Sequence, residues 1–144
     1  MVPGLSGAAE ALVAGRVAAE ALMVDACVVD RPGPSVMDPL TGKVKPSYTL
    51  VYPHPDHEAP LDGRCKVQQT LAQSSSPEAG GAVFTVQNAR LDLPVGAGPV
   101  AVGDRVRLVS AASNPDLVGN VYRVKELFEK SWQTAQRVRV EELV

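Results

Sequence analysis

The side chains with the most chemical potential in this sequence sit together at His54-Pro55-Asp56-His57-Glu58, with Cys65 close behind. Imidazoles, carboxylates and a thiol are the donors that hold zinc. Their spacing matches no established ligand frame, however. Pro53, Pro55 and Pro60 keep the backbone extended, so the stretch reads as an exposed loop. The chain has 2 histidines, both here, so a histidine-based triad would have to be built on this loop. Ser74, Ser75 and Ser76 lie in polar low-complexity sequence, Gln-Ser-Ser-Ser-Pro-Glu-Ala-Gly-Gly, and not on the strained elbow that activates a serine. Gly96-Ala97-Gly98 has the glycines of a phosphate loop, but no helix follows and no lysine closes it, so it reads as a turn. We therefore assign no catalytic, cofactor-binding or metal-binding residues and expect a non-enzymatic protein without a cofactor.

The cationic side chains are the next candidates. Arg105, Arg107, Arg123, Lys125, Arg137 and Arg139 alternate with apolar residues, which places them on the outer side of strands. That side is either simply solvated or a rim facing an acidic partner. Aromatic residues make up only 4% of the chain, poor material for stacking single-stranded bases. The formal net charge is -2, so no basic field advertises a nucleic-acid grip.

These residues must be carried by a helix and a set of strands. Leu5, Ala9, Leu12, Val13, Val17 and Ala21 recur at three- and four-residue steps, predicting a helix that Ser6 can cap and Gly15 weakens. Its alanines suggest close packing against the domain's own sheet or a neighbouring subunit. Seven β-type runs follow: 24–31, 48–52 (weak), 64–70, 82–93, 104–110, 118–127 and 132–140. In the fourth, Phe84 and Val86 take one parity and Ala89, Leu91 and Leu93 the other, which suggests a bulge or bend. Val106 and Leu108 face in. Trp132 shares the parity of Val138 and Val140 and is expected in the core. Cys27 and Cys65 read as small half-buried hydrophobes, with a disulfide or metal role as the alternative. Gly103-Asp104 and Asn114-Pro115-Asp116 with Gly119-Asn120 are turn signals.

The pattern predicts a mainly β fold: a small antiparallel barrel or sandwich of about seven strands after one N-terminal helix. The helical segment covers 1–23 and the barrel domain 24–144. Two long loops are expected, about 32–62 with seven prolines and about 71–81. Such loops become ordered against other molecules when they carry function. No apolar run reaches the ~18 residues of a membrane span. The N-terminus has no basic region before an apolar core, so we expect no signal peptide and cytoplasmic synthesis.

Several stretches carry a resemblance. They are Met23-Val24-Asp25-Ala26-Cys27-Val28-Val29-Asp30-Arg31, Asp38-Pro39-Leu40-Thr41-Gly42, Gly63-Arg64-Cys65-Lys66-Val67-Gln68, Leu91-Asp92-Leu93-Pro94-Val95, Val102-Gly103-Asp104-Arg105-Val106, Pro115-Asp116-Leu117-Val118-Gly119-Asn120-Val121-Tyr122-Arg123-Val124 and Lys130-Ser131-Trp132-Gln133-Thr134-Ala135. In order and spacing, the chain from Leu12 to Leu143 resembles the head-completion (stopper) proteins of long-tailed bacteriophages, especially an actinobacterial phage type. The resemblance implies a β-barrel structural virion protein in the phage neck, assembled as a ring, commonly of twelve. It would join the portal and adaptor above to the tail terminator and tail tube below, and retain packaged double-stranded DNA without sequence specificity. A negative net charge is compatible with a channel that DNA must later leave. By position, Pro32, Asp38, Gly42, His54 and His57 on the first loop and Ser74, Ser75 and Ser76 on the second are candidate channel or interface residues. Leu12, Arg16, Arg105, Arg107, Arg137 and Arg139 are candidate subunit or partner contacts. The alternatives are a tail terminator, or a small barrel binding nucleic acid or another ligand.

Overall fold

The computed structural model describes residues 3–54, 62–71 and 87–143. It is mainly β with one N-terminal helix, α1 (Pro3–Ala21). The strands are β1 (Asp25–Pro32), β2 (Val36–Met37), β3 (Val44–Lys45), β4 (Tyr48–Tyr52), β5 (Arg64–Leu71), β6 (Gln87–Leu93), β7 (Arg105–Ser110), β8 (Val121–Phe128) and β9 (Gln136–Leu143). The main sheet runs β4-β1-β5-β6-β9-β8-β7, and a further pairing of β1 with β7 closes it. Six antiparallel strands thus form a barrel, with β4 attached outside the ring.

Strand β1 makes the closure possible because it is shared by three partners. One edge pairs with β7 from Ala26↔Ser110 to Asp30↔Arg105. The other edge pairs with β5 only at Asp25↔Cys65 and Ala26↔Arg64, then with β4 from Val29↔Tyr52 to Pro32↔Tyr48. Irregularities after Ala26 and after Val29 supply the extra local twist that lets one strand serve both sides.

Alternation fills the interior. Val29, Leu91, Leu93, Val106, Leu108, Tyr122, Val124 and Val138 are essentially sealed from solvent. Tyr52 is buried too and satisfies its phenol by donating to the Arg64 carbonyl (2.8 Å). Each such side chain contributes roughly 1.5–3 kcal/mol of transfer free energy. The expected turns are present. Gly103 has φ +96° ahead of buried Asp104, and Asn114 caps a 3-10 turn (Pro115–Leu117) by accepting from the Asp116 N–H (3.2 Å).

Three expectations need correction. Trp132 is exposed (56%), because the last strand begins only at Gln136 and Trp132 precedes it in a turn. The eighth strand begins at Val121, since the 3-10 turn and Gly119 (φ +89°) occupy the start of the predicted run. The helical stripe, open to the domain's own sheet or to a neighbouring subunit, is divided: Ala9, Val13, Val17 and Ala21 are exposed, while Leu12 is half-buried beside the Gly15–Arg16 contact. Finally, segment 32–62 is no simple loop around a weak strand: it also carries the hairpin β2–β3. Phe84 and Val86 lie outside the described residues, while Ala89, Leu91 and Leu93 share the inward face of β6.

Candidate functional site

The histidine cluster is not assembled among the described residues. His54 follows β4 and is half-buried; His57 lies outside the described residues, as do Ser74, Ser75 and Ser76. Cys65, once a possible ligand beside them, points into the core with Cys27 (0% and 1% exposed). Both thiols are free, and their mutual hydrogen bond, with burial second, raises the pKa of Cys27 well above the usual thiol range. No group of three potential metal ligands occurs among the described residues. Gly96 (φ +86°) and Gly98 (φ +132°) build a tight link from β6 toward β7, closed by the Ala97 N–H donating to the Pro94 carbonyl (3.1 Å).

The outer arginines are largely neutralised within the chain. Arg105 makes two hydrogen bonds to buried Asp30 (2.9 and 2.7 Å) and lies 3.6 Å from the centroid of the Tyr48 ring. Arg31 grips buried Asp104 in the same way (2.9 and 3.1 Å), and Asp104 also accepts the Ala101 N–H (2.8 Å). Arg139 pairs with Glu126 (3.4 Å) and Lys125 with Glu141 (3.0 Å). Arg137 is 3.9 Å from Asp92, which Arg90 holds more closely at 3.0 Å. Arg105, Arg137 and Arg139 are thus spent on internal pairs, whereas Arg107 and Arg123 are exposed without an ion pair among the described residues. On the helix, Arg16 donates to the Gln133 carbonyl (3.2 Å), and half-buried Leu12 lies on the same contact face.

Two surfaces stand apart from this satisfied barrel. The first is the β2–β3 hairpin, reached from the end of β1 past exposed Pro32. Its base is tied by Gly33 N–H to the Ser47 carbonyl (2.8 Å) and by Ser47 Oγ to the Pro34 carbonyl (2.5 Å). Its ladder pairs Val36↔Lys45 and Met37↔Val44. At the tip the Asp38 N–H donates to the Lys43 carbonyl (2.8 Å), and Asp38 accepts the N–H of Gly42 through its carbonyl (2.8 Å) and that of Leu40 through its carboxylate (2.9 Å). Gly42 takes φ +69°, which a residue with a Cβ adopts only at a cost. This well-tied ribbon displays Val36, Met37, Leu40 and Val44, with Leu40 94% exposed.

The second surface is a slot in the barrel wall at the other end of β1. Strand β5 continues past Cys65, where its pairing with β1 stops, and the chain after β7 also runs past the start of β1. Between them opens a groove of about 500 Å³ walled by Leu22, Val24, Asp25, Lys66, Val67 and Leu117. Val67 and Leu117 pack against the core from beneath it.

Residues 15–141 match a protein-family model. The chain belongs to DUF6093, a family of unknown function. No curated protein and no solved structure matches the chain. The DUF6093 match contains the barrel strands, the hairpin and the slot, while residues 3–14 of the helix precede it. Sequence reasoning placed Asp38 and Gly42 but missed the hairpin they build. The signal was available: Asp38-Pro39 and Gly42 punctuate the gap between Val36-Met37 and Val44, the mark of a short ribbon. The slot had no such signal, because it arises from where β1 ends relative to its two neighbours.

Proposed function

We propose that this chain is a non-enzymatic assembly protein of a phage virion: a ring-forming head-completion stopper in the neck. The observation that carries the reading is the exposed apolar surface of the hairpin and the helix. Val36, Met37, Leu40 and Val44 on the hairpin, and Val13 and Val17 on the helix, are all more than half exposed. Large apolar side chains displayed in such numbers on a tied ribbon and a helix mark a contact with another macromolecule. A two-stranded ribbon is also marginal alone, so a partner that covers it adds to its stability. The specific place in the neck rests on the resemblance of the ordered motifs from Leu12 to Leu143. In this reading the partners are further copies of the chain in a ring of twelve; the head-tail adaptor above; the tail terminator and tube below; and duplex DNA in the channel, held without base readout. The protein works in the virion and is assembled in the host cytoplasm, without a cofactor.

The test is electron microscopy of a phage lysate carrying a nonsense mutation in this gene. Finished free tails beside tailless heads that lose DNA are expected. Filled heads that retain DNA beside abnormal tails would instead assign the protein to tail termination. Normal infectious particles would overturn the virion reading. They would favour a binding module whose exposed Arg107 and Arg123 contact a polyanion, with retention on DNA that falls steeply with salt.

A further inference from the structure

The hairpin and the slot lie at opposite ends of the same strand. Hairpin β2–β3 leaves β1 after Pro32, and the slot opens where β1 begins at Asp25, about 23 Å away at the ordinary rise per strand residue. A hairpin therefore has no short path into the slot of its own chain. Each surface lacks what the other offers. The hairpin presents side chains without a pocket; the slot, where Leu22, Val24, Val67 and Leu117 meet a polar rim of Asp25, Lys66, Ser113 and Asn114, has no occupant among the described residues. The backbone is complementary too. Beyond Cys65 the β1-facing edge of β5 has no ladder partner among the described residues, and the outer edges of β2 and β3 have none either. Unpaired strand edges pair with one another, giving main-chain hydrogen bonds, while alternate side chains fill pockets. Charge agrees: Lys43 and Lys45 outweigh Asp38 on the hairpin, whereas Asp25 in the slot and Asp116 on the adjoining 3-10 turn outweigh Lys66.

We propose that the β2–β3 hairpin of one copy docks in the Val24–Val67–Leu117 slot of the next copy, adding to the free edge of β5 and placing Leu40 in the groove. Because the two surfaces differ, the contact is heterologous: each copy gives a hairpin to one neighbour and receives one from the other. Such a contact closes into a ring when its rotation allows and otherwise extends a filament. The ties at Gly33, Ser47 and Asp38 hold the ribbon ready, lowering the ordering cost of docking. The proposal rests on the assembly reading above for its context, not for its geometry.

The experiment mixes purified full-length Leu40→Cys and Val24→Cys variants with a short bismaleimide linker. The native thiols, being buried, do not compete. The expected result is a cross-linked dimer from the mixture, a ladder of higher species from the double variant, and little product from either variant alone. The control is Leu40→Asp, expected to weaken self-association at least ~10-fold in sedimentation while leaving the melting temperature unchanged. Cross-linking of Leu40→Cys with itself would replace the proposal with a symmetric hairpin pair. A deletion of residues 74–80 that removes association while Leu40→Asp does not would give the slot to that segment. Monomer at every concentration, with no cross-link, overturns it outright. The neck reading fails separately: cross-links together with normal virions from the nonsense mutant would leave the contact standing without that role. A null mutant without finished heads whose Leu40→Asp counterpart assembles normally would do the reverse.

Discussion

Cys27 and Cys65 show how a side chain's chemistry is set by where its strand puts it. Both thiols face the core and touch each other, so the nucleophilic thiolate is disfavoured. We expect native protein to be silent toward a water-soluble disulfide reagent at neutral pH and to release both thiols in denaturant; rapid native labelling would show that the core opens readily. The raised pKa of Cys27 also has a direction in stability. Below the ordinary thiol pKa, folded and unfolded chains are both protonated and this contribution is complete. As pH rises past about 8.5 the unfolded thiol ionises while the folded one does not, and stability is lost at up to about 1.4 kcal/mol per pH unit. Tyr52 and Tyr122, whose phenols are also raised by burial, add to that loss at still higher pH. Denaturant titrations between pH 7 and 10 should show the decline, and Cys27→Ala should flatten its first part. Asp30 and Asp104 are buried charges made tolerable by geometry, for each carboxylate accepts two arginine hydrogen bonds.

Among the elements, α1 is the least tied to the rest. It rests on Gly15 and Arg16: a Cβ at Gly15 would lie 2.8 Å from Thr134 Cγ2, and Arg16 reaches the Gln133 carbonyl. Glycine therefore serves close approach here, although it weakens the helix itself by about 1 kcal/mol against alanine. Gly15→Leu is expected to lift the helix off while the barrel's unfolding changes by under about 1 kcal/mol. Trypsin cleavage at Arg16 should then accelerate at least ~10-fold. A large loss of barrel stability would instead make the helix part of the core. The helical stripe at Ala9, Val13 and Val17 was legible in the sequence, but its orientation was not. Periodicity gives a face, and only tertiary contact decides whether that face is turned in or out.

At the scale of the molecule, closure through β1 and β7 makes one core out of the seven strands of the main sheet, so its unfolding should be a single cooperative event. Leu108, on the closing strand and 1% exposed, is expected to cost about 2–5 kcal/mol on replacement by alanine, read from the shift of a denaturant midpoint. Leu40→Ala should cost less than about 0.5 kcal/mol in the same measurement, because its side chain has almost no contacts to lose within one copy. A hydrophobic residue that contributes nothing to its own fold yet is carried on a tied ribbon is what an assembly contact requires.

The strands of the main sheet, the inward face of β7 and the turns at Gly103 and Asn114 followed from the sequence alone. Each depends on alternation or on a local backbone requirement, which neighbouring residues express directly. Trp132 went the other way, and the side taken by the helix stripe was open, for a common reason. Parity and periodicity assign a side to a residue only while its element continues, and a turn or a displaced contact breaks that assignment without leaving a local mark. The neutralisation of Arg105 by Asp30 and of Arg31 by Asp104 joins residues more than seventy positions apart, so it exists only after the barrel closes. The slot beside Val24 has the same origin: it is the space left where one strand ends and its two neighbours go on, a property of register that single segments do not carry.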